Sequence, residues 1–134
     1  MVSLTPIFFT KTLVIIWLWG GLVSGSPNTQ VFQEECSQAF YPAIDPYGIS
    51  VTYILNDVMK NTPNSQPYDY SVSGLPPVNA YGFGSCAPAL SNSDCSTCMT
   101  AAYTEIVNRC GGHISGKVLL KDCSIGYMKD VAHK

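Results

Sequence analysis

Hydrophobic residues recur at helical spacing in one stretch near the middle of the chain. From Val51 onward they follow one another at intervals of three and four, which is typical of one face of an amphipathic helix: Val51, Ile54, Leu55, Val58 and Met59. Ser50 can accept hydrogen bonds from the free amides of the first turn, and Pro63 lacks the amide donor that would continue a helix. The pattern predicts a helix over residues 50–61.

A second helical pattern follows a polar turn. Its small and apolar residues share one side, which suits close packing on a sheet: Cys95, Cys98, Met99, Ala102 and Ile106. Ser93 or Asp94 can cap its start, and the pair Gly111-Gly112 permits the left-handed conformation that ends many helices. We expect this helix to run from Cys95 to about Arg109.

Alternation with a period of two, typical of strands, marks four other stretches. They are Gln30–Gln33, Tyr68–Val72, Asn79–Cys86 and Lys117–Met128. The last could form one long strand or two strands joined at a bend, and its alternating members are Leu119, Cys123, Ile125 and Tyr127. Residues 41–48 contain two prolines and a glycine, which predicts a loop.

Two aromatic residues of the third stretch, Tyr81 and Phe83, would point to one face of their strand. Gly82 and Gly84 alternate with them, and interior glycine indicates a bulge or the close approach of another chain segment. The rings have two interpretations. They could pack in the core, as aromatic side chains ordinarily do, or form a platform on which a sugar stacks.

The order of the predicted elements is strand, helix, two strands, helix and strand. Hairpin-length connections join the middle strands, so we expect an α+β domain with helices on one face of an antiparallel sheet. A chain of 134 residues has room for one such domain and a processed extension.

The first 25 residues have the pattern of a secretory signal peptide. Lys11 precedes an apolar run, Thr12–Val23, which is shorter than the roughly 20 residues that a membrane span needs. Small residues up to Gly25 offer a cleavage site, which would leave residues 26–134 as a mature domain without a membrane span. An uncleaved anchor or a buried helix is the alternative. We expect the chain to be secreted and extracellular.

The balance of acidic and basic residues limits the kinds of binding partner that can be expected. Lys11 is one of seven Lys and Arg residues, against nine Asp and Glu residues, so the mature domain would be mildly acidic. Nucleic acids and anionic membranes favour a basic stripe. The balance therefore argues against both partners.

All six cysteines lie after the expected cleavage site. An even number of cysteines in a small exported domain predicts three disulfides, for which fifteen pairings are possible. Two alternatives remain open. Cys95 and Cys98 could form a redox motif at a helix start, and they could bind zinc together with Cys110 and His113. An oxidising compartment favours structural disulfides over both.

The cysteine spacing also resembles a known family. Cys86, Cys95 and Cys98 follow the pattern C-x8-C-x2-C, a helix comes next, and Tyr-Gly-Phe-Gly-Ser precedes Cys86. With the interval from Cys110 to Cys123, these features are similar to the ginkbilobin-type antifungal proteins, single copies of the cysteine-rich stress-antifungal domain of land plants. The same domain occurs in ectodomains of cysteine-rich receptor-like kinases and plasmodesmata-located proteins.

The resemblance spans Asn28 to Met128 and carries expectations about the fold. It implies two helices packed on a five-stranded antiparallel sheet. It also implies the pairs Cys36–Cys110, Cys86–Cys95 and Cys98–Cys123. The first pair would anchor the N-terminal segment to the end of the second helix, and the last would join that helix to the final strand.

The resemblance further implies a lectin-like defence protein of the plant apoplast that binds mannose or mannan-type fungal cell-wall glycans. Its sugar site, an asparagine, an arginine and a glutamate, corresponds by position to Ser37, Lys117 and Met128. Lys117 keeps the charge without the planar fork, and Met128 lacks the acceptor. We therefore expect weak or altered sugar binding. Glu105, Asp122 and Asp130 are candidate replacements for the lost carboxylate.

Nothing in the sequence favours an enzyme or a cofactor site. The histidines are His113, in a glycine turn, and His133, near the C-terminus, and neither has a recognisable nucleophile partner. Since the sugar residues are altered, the alternative to a lectin is a module that keeps the fold and binds an extracellular protein or peptide.

Reduction should change the mass of the exported chain in a defined way. If the six cysteines form three disulfides, the intact mass measured with reductant exceeds the mass without it by about six hydrogens. An unchanged mass would mean free thiols or bound metal, and would contradict the expected compartment.

Overall fold

The computed structural model describes residues 26–42, 45–74 and 80–129. The predicted signal peptide, residues 1–25, lies outside the described residues, as does His133. In the described ranges, no helix is both long and apolar enough to cross a membrane.

Five antiparallel strands form one sheet in the order β1-β4-β5-β3-β2. The strands are β1 Val31–Cys36, β2 Asp69–Ser73, β3 Ala80–Cys86, β4 Gly116–Leu120 and β5 Cys123–Lys129. Helices α1, Pro46–Asn61, and α2, Asn92–Cys110, pack on one face of the sheet, and a short 3-10 turn, Thr62–Asn64, follows α1. The predicted α+β architecture with two helices on a five-stranded sheet is confirmed.

Helix α1 begins four residues earlier than predicted, so the interpretation of residues 41–48 as a loop is wrong in its second half. Asp45, and not Ser50, caps the helix, because its Oδ1 accepts a hydrogen bond from the Tyr47 amide at 2.8 Å. Pro46 occupies the first turn, where a missing amide donor costs nothing. The extra turn buries Tyr47 in the core.

The cap of the second helix and the inward face of β4 also differ from prediction. Helix α2 is capped by Ser91, whose hydroxyl accepts from the Asp94 amide at 3.0 Å, and not by Ser93 or Asp94. The stretch from Lys117 forms two strands, β4 and β5, and the inward residues of β4 are Gly116, Val118 and Leu120. Leu119 was therefore assigned to the wrong face, since the turn at residues 121–122 shifts the alternation.

Helix α1 packs directly on the glycines of β3. A Cβ atom at Gly82 would lie 2.3 Å from Ile54 Cγ2, and one at Gly84 would lie 2.6 Å from Val58 Cγ1. The sequence prediction of a close approach at these glycines is confirmed. Because β3 has no side chains on this face at these points, the helix rests on the strand backbone, and Tyr81 and Phe83 point to the opposite face.

Three disulfides join helix α2 to strands of the sheet. The pairs are Cys36–Cys110, Cys86–Cys95 and Cys98–Cys123, as the family resemblance implies, and no cysteine is free. Each crosslink stabilises a domain of this kind by roughly 3 to 4 kcal/mol on the chain-entropy model. The pair Cys36–Cys110 also fixes the position of edge strand β1 against the end of α2.

The packing of α1 on β3 predicts the effect of one methyl group. Gly82→Ala should lower the free energy of unfolding by about 1 to 3 kcal/mol, because Ile54 or the helix must move. Chemical denaturation of the oxidised protein measures this change. Ser71→Ala, at an exposed position of β2, is the control and should stay within about 0.5 kcal/mol of wild type. Equal stability of the two variants would contradict the described packing.

Candidate functional site

The face of the sheet that the helices leave uncovered carries the candidate functional residues. Strand alternation brings one residue of each strand into a row across this face. The ladder pairings place the members of that row side by side in the order Glu35, Lys117, Gly126, Phe83 and Ser71. The open face therefore combines a carboxylate, a cation and an aromatic ring within one row.

The three residues that the family resemblance assigns to a sugar site lie around one hollow at this face. Ser37, Lys117 and Met128 all line a cavity of about 280 Å³, together with Glu35, Phe83 and others. The hollow lies where β1 ends and β4 begins. Residues far apart in the sequence are thus brought together at the positions that the resemblance indicates.

The polar groups of Ser37 form hydrogen bonds within the wall of the hollow. Its hydroxyl donates to the Ala39 carbonyl at 3.1 Å and accepts from the Ser115 amide at 3.1 Å. Its backbone amide donates to the Ser115 carbonyl at 3.0 Å, and the His113 ring contacts its carbonyl through Nδ1. A serine hydroxyl has one proton to donate, so Ser37 could offer a ligand only its remaining acceptor site.

Lys117 and Glu35 are the charged groups available at the hollow. They face each other in the β1–β4 ladder, and both side chains are exposed. Within residues 26–42, 45–74 and 80–129, neither forms an ion pair. An ammonium donor and a carboxylate acceptor therefore lie side by side, with their hydrogen-bonding capacity open to a ligand.

Phe83 forms an apolar wall of the same hollow. A Cβ atom at Gly126 would lie 2.4 Å from Phe83 Cζ, so the ring of Phe83 covers this glycine of β5. Gly126 separates Phe83 of β3 from Lys117 of β4 in the row. Tyr81 lies 5.9 Å from Phe83, centroid to centroid, on the same face. Neither ring belongs to the buried core, so the interpretation of this pair as core residues is wrong.

Tyr127 supports the hollow from beneath. Its side chain is buried, and its hydroxyl lies 2.8 Å from the Cys110 carbonyl and 2.7 Å from that of His113. Burial raises the pKa of the Tyr127 phenol well above its usual value of 10. The phenol therefore stays protonated at physiological pH and holds the turn after α2 against the sheet.

Of the carboxylates named from sequence as replacements for the one lost at Met128, Glu105 and Asp122 do not line this hollow. Glu105 binds Arg109 at 2.6 Å, the Asp122 carboxylate accepts from the Asn28 amide at 2.7 Å, and Asp130 lies outside the described residues. Sequence reasoning missed Glu35, because the predicted first strand stopped at Gln33. Extending the period-two pattern to Cys36 would have placed Glu35 on the open face.

The zinc and redox sites considered from the sequence depend on free cysteines. All six cysteines are paired, so none is available as a thiolate for zinc binding or redox exchange. His113 stacks against Phe40, with ring centroids 4.2 Å apart. Among the described residues, no cluster of three or more His, Cys, Asp or Glu side chains could hold a metal ion.

The fold and the site together define a disulfide-crosslinked α+β domain with a polar and aromatic hollow on its open sheet face. The chain belongs to the family described as salt stress response/antifungal, whose model matches residues 34–130. The family resemblance inferred from the cysteine pattern is confirmed.

Antifungal proteins of two seed plants are among the relatives that match over most of their length. The antifungal protein ginkbilobin-like protein 1 of Picea sitchensis is 32% identical over 124 residues, which cover 89% of this chain and 91% of the relative. The antifungal protein ginkbilobin-2 of Ginkgo biloba is 31% identical over 111 residues, which cover 79% of this chain and 81% of the relative.

A solved structure shows the same fold. The tandem DUF26 ectodomain of the Arabidopsis thaliana cysteine-rich receptor-like protein PDLP5 superposes with a TM-score of 0.68 at 23% identity. The match covers 75% of this chain and 50% of the ectodomain chain, so the chain spans about half the length of that ectodomain. At this identity the similarity concerns the fold alone.

Proposed function

We propose that this protein is a secreted plant defence protein that inhibits fungal growth by binding mannose or mannan-type glycans of the fungal cell wall. One observation carries the proposal: Lys117, Glu35 and Phe83 line a single hollow on the open face of the sheet. The similarity to antifungal relatives supports the biological role, and the hollow supports the chemistry.

The groups around the hollow suit a hexose. The Lys117 ammonium donates to sugar oxygens and the Glu35 carboxylate accepts from sugar hydroxyls, both in charge-assisted hydrogen bonds. The Phe83 ring offers an apolar surface for the C–H groups of the sugar. Glu35 thus supplies a carboxylate on the far side of Lys117 from Met128, and it takes over the acceptor role that Met128 lacks.

Weak binding of a single sugar follows from the same geometry. Met128 offers no hydrogen bond, and the Ser37 hydroxyl proton already bonds to Ala39. Each sugar hydroxyl that loses its water without gaining a partner costs about 1 to 3 kcal/mol, or one to two orders of magnitude in affinity. The hollow is also shallow and open to solvent on the sheet face.

Removal of the Lys117 charge tests the site. Lys117→Met keeps the apolar stem and removes the ammonium donors, so the affinity for mannan measured by calorimetry should fall about tenfold or more. Inhibition of fungal growth should fall in parallel. Lys60→Met, at an exposed position of α1, is the matched control. Unchanged mannan affinity in Lys117→Met, or no heat from the wild-type protein together with no growth inhibition, would contradict the proposal.

A second candidate function is the binding of an extracellular protein or peptide. A groove of about 670 Å³ runs between α1 and β2, with a mainly apolar lining. Two side chains along it, Ile49 and Tyr53, are 75% and 73% exposed. Exposed apolar surface of this kind is typical of interaction sites, and the groove lies apart from the sugar-binding hollow.

Two variants separate the candidate functions. For a protein-binding module, Tyr53→Ser should abolish capture of a specific partner from apoplastic fluid, whereas Lys117→Met should leave it unchanged, because Tyr53 lines the groove and Lys117 does not. For a lectin, Lys117→Met should lower the affinity for mannan, whereas Tyr53→Ser should leave it unchanged. Recovery of no partner, with clear mannose binding, would exclude the protein-binding function.

A further inference from the structure

We infer that the binding surface extends past the hollow into a second subsite, so that the ligand is a neutral hexose oligosaccharide of at least two units. The inference rests on the proposed function. It concerns a second hollow on the open sheet face, about 320 Å³ in volume. The sugar chain would lie along β4 and β5, from Met128 at one end to Ser124 at the other.

Lys117 lies between the two hollows and lines both. It lines the first hollow with Glu35 and Phe83, and the second with Ser85 and Ser124. A lysine ammonium carries three donors on a flexible stem. Lys117 can therefore bond to oxygens of two adjacent sugar units at their junction, where a glycosidic linkage would pass.

The register of the sheet gives the second hollow its place. The row of the open face next to that of Lys117 contains, in order across the sheet, Gln33, Leu119, Ser124, Ser85 and Asp69. Neighbouring rows are two residues apart along a strand, a distance of about 6.6 Å. That spacing is comparable with the length of one hexose unit, so consecutive sugars would meet consecutive rows.

The chemistry of the second row suits a sugar hydroxyl. The Ser85 and Ser124 hydroxyls lie 3.0 Å apart and share one hydrogen bond. Each hydroxyl has one proton and two acceptor sites, so the pair keeps one proton to donate and three sites to accept. Leu119, half-buried beside Ser124, adds an apolar patch for ring C–H groups.

The charges around the second hollow favour a neutral ligand. Lys121 lies over the Phe32 ring, 5.1 Å from its centroid, and the adjacent Asp122 carboxylate bonds to the Asn28 amide. Asp69 and Glu35 flank the open face on either side. Lysines and carboxylates are thus interspersed, without the single-sign field that would attract a polyanion.

The test compares mannose with α-linked mannotriose in calorimetry on the oxidised protein. Wild type should bind mannotriose about tenfold tighter than mannose or more, because the second subsite adds hydrogen bonds. The double variant Ser85→Ala, Ser124→Ala removes both partners of one bond and leaves neither unsatisfied, so the fold is retained. It should lose most of the mannotriose advantage and keep the wild-type affinity for mannose.

Matched controls separate this subsite from the first hollow. The double variant Ser93→Ala, Ser96→Ala, at exposed positions of α2, should behave as wild type. An acidic oligogalacturonide of equal length should bind no tighter than mannotriose. Equal affinities for mannose and mannotriose, or tighter binding of the acidic oligomer, would overturn the second subsite. If the second subsite fails this test but mannose binding depends on Lys117, the proposed function still stands. If neither mannose nor mannotriose binds, both the second subsite and the proposed function are overturned.

Discussion

The close contact between helix α1 and the backbone of β3 is the constraint on which the rest of the structure depends. Ile54 and Val58 occupy the space that side chains at Gly82 and Gly84 would fill. Both helices pack on this face of the sheet, and the three disulfides join α2 to it. Because strand side chains alternate between faces, the other face carries the residues between the inward-facing ones, among them Glu35, Lys117 and Phe83. The candidate site on the open face follows from this division.

Much of the fold could be predicted from local pattern. The apolar stripe from Val51 to Met59 predicted most of α1, and the glycines of β3 indicated a bulge or the close approach of another segment without identifying that segment as α1. The helix start was missed because Asp45 and Pro46, which read as loop residues, are also a favourable cap and first-turn pair. Leu119 was assigned to the wrong face because alternation carries through a strand but not through a hairpin turn.

The candidate site was predicted in part. The family resemblance named Ser37, Lys117 and Met128, and these residues do line one hollow. Residue type alone could not show that the Ser37 hydroxyl is engaged in the loop, since its partners at Ala39 and Ser115 depend on tertiary structure. Glu35 was missed because the predicted first strand stopped at Gln33, and the β1–β4 register shows that it lies opposite Lys117. A weak site for one sugar, extended along the sheet, is consistent with this set of residues.

The most direct measurement is a methyl-detected NMR titration of the oxidised protein with α-linked mannotriose. Leu119 and Met128 report on the open sheet face, whereas Ile49 reports on the groove between α1 and β2. The account predicts saturable shifts at Leu119 and Met128, with Ile49 unchanged. Shifts confined to Ile49, or no shifts at millimolar sugar, would contradict it.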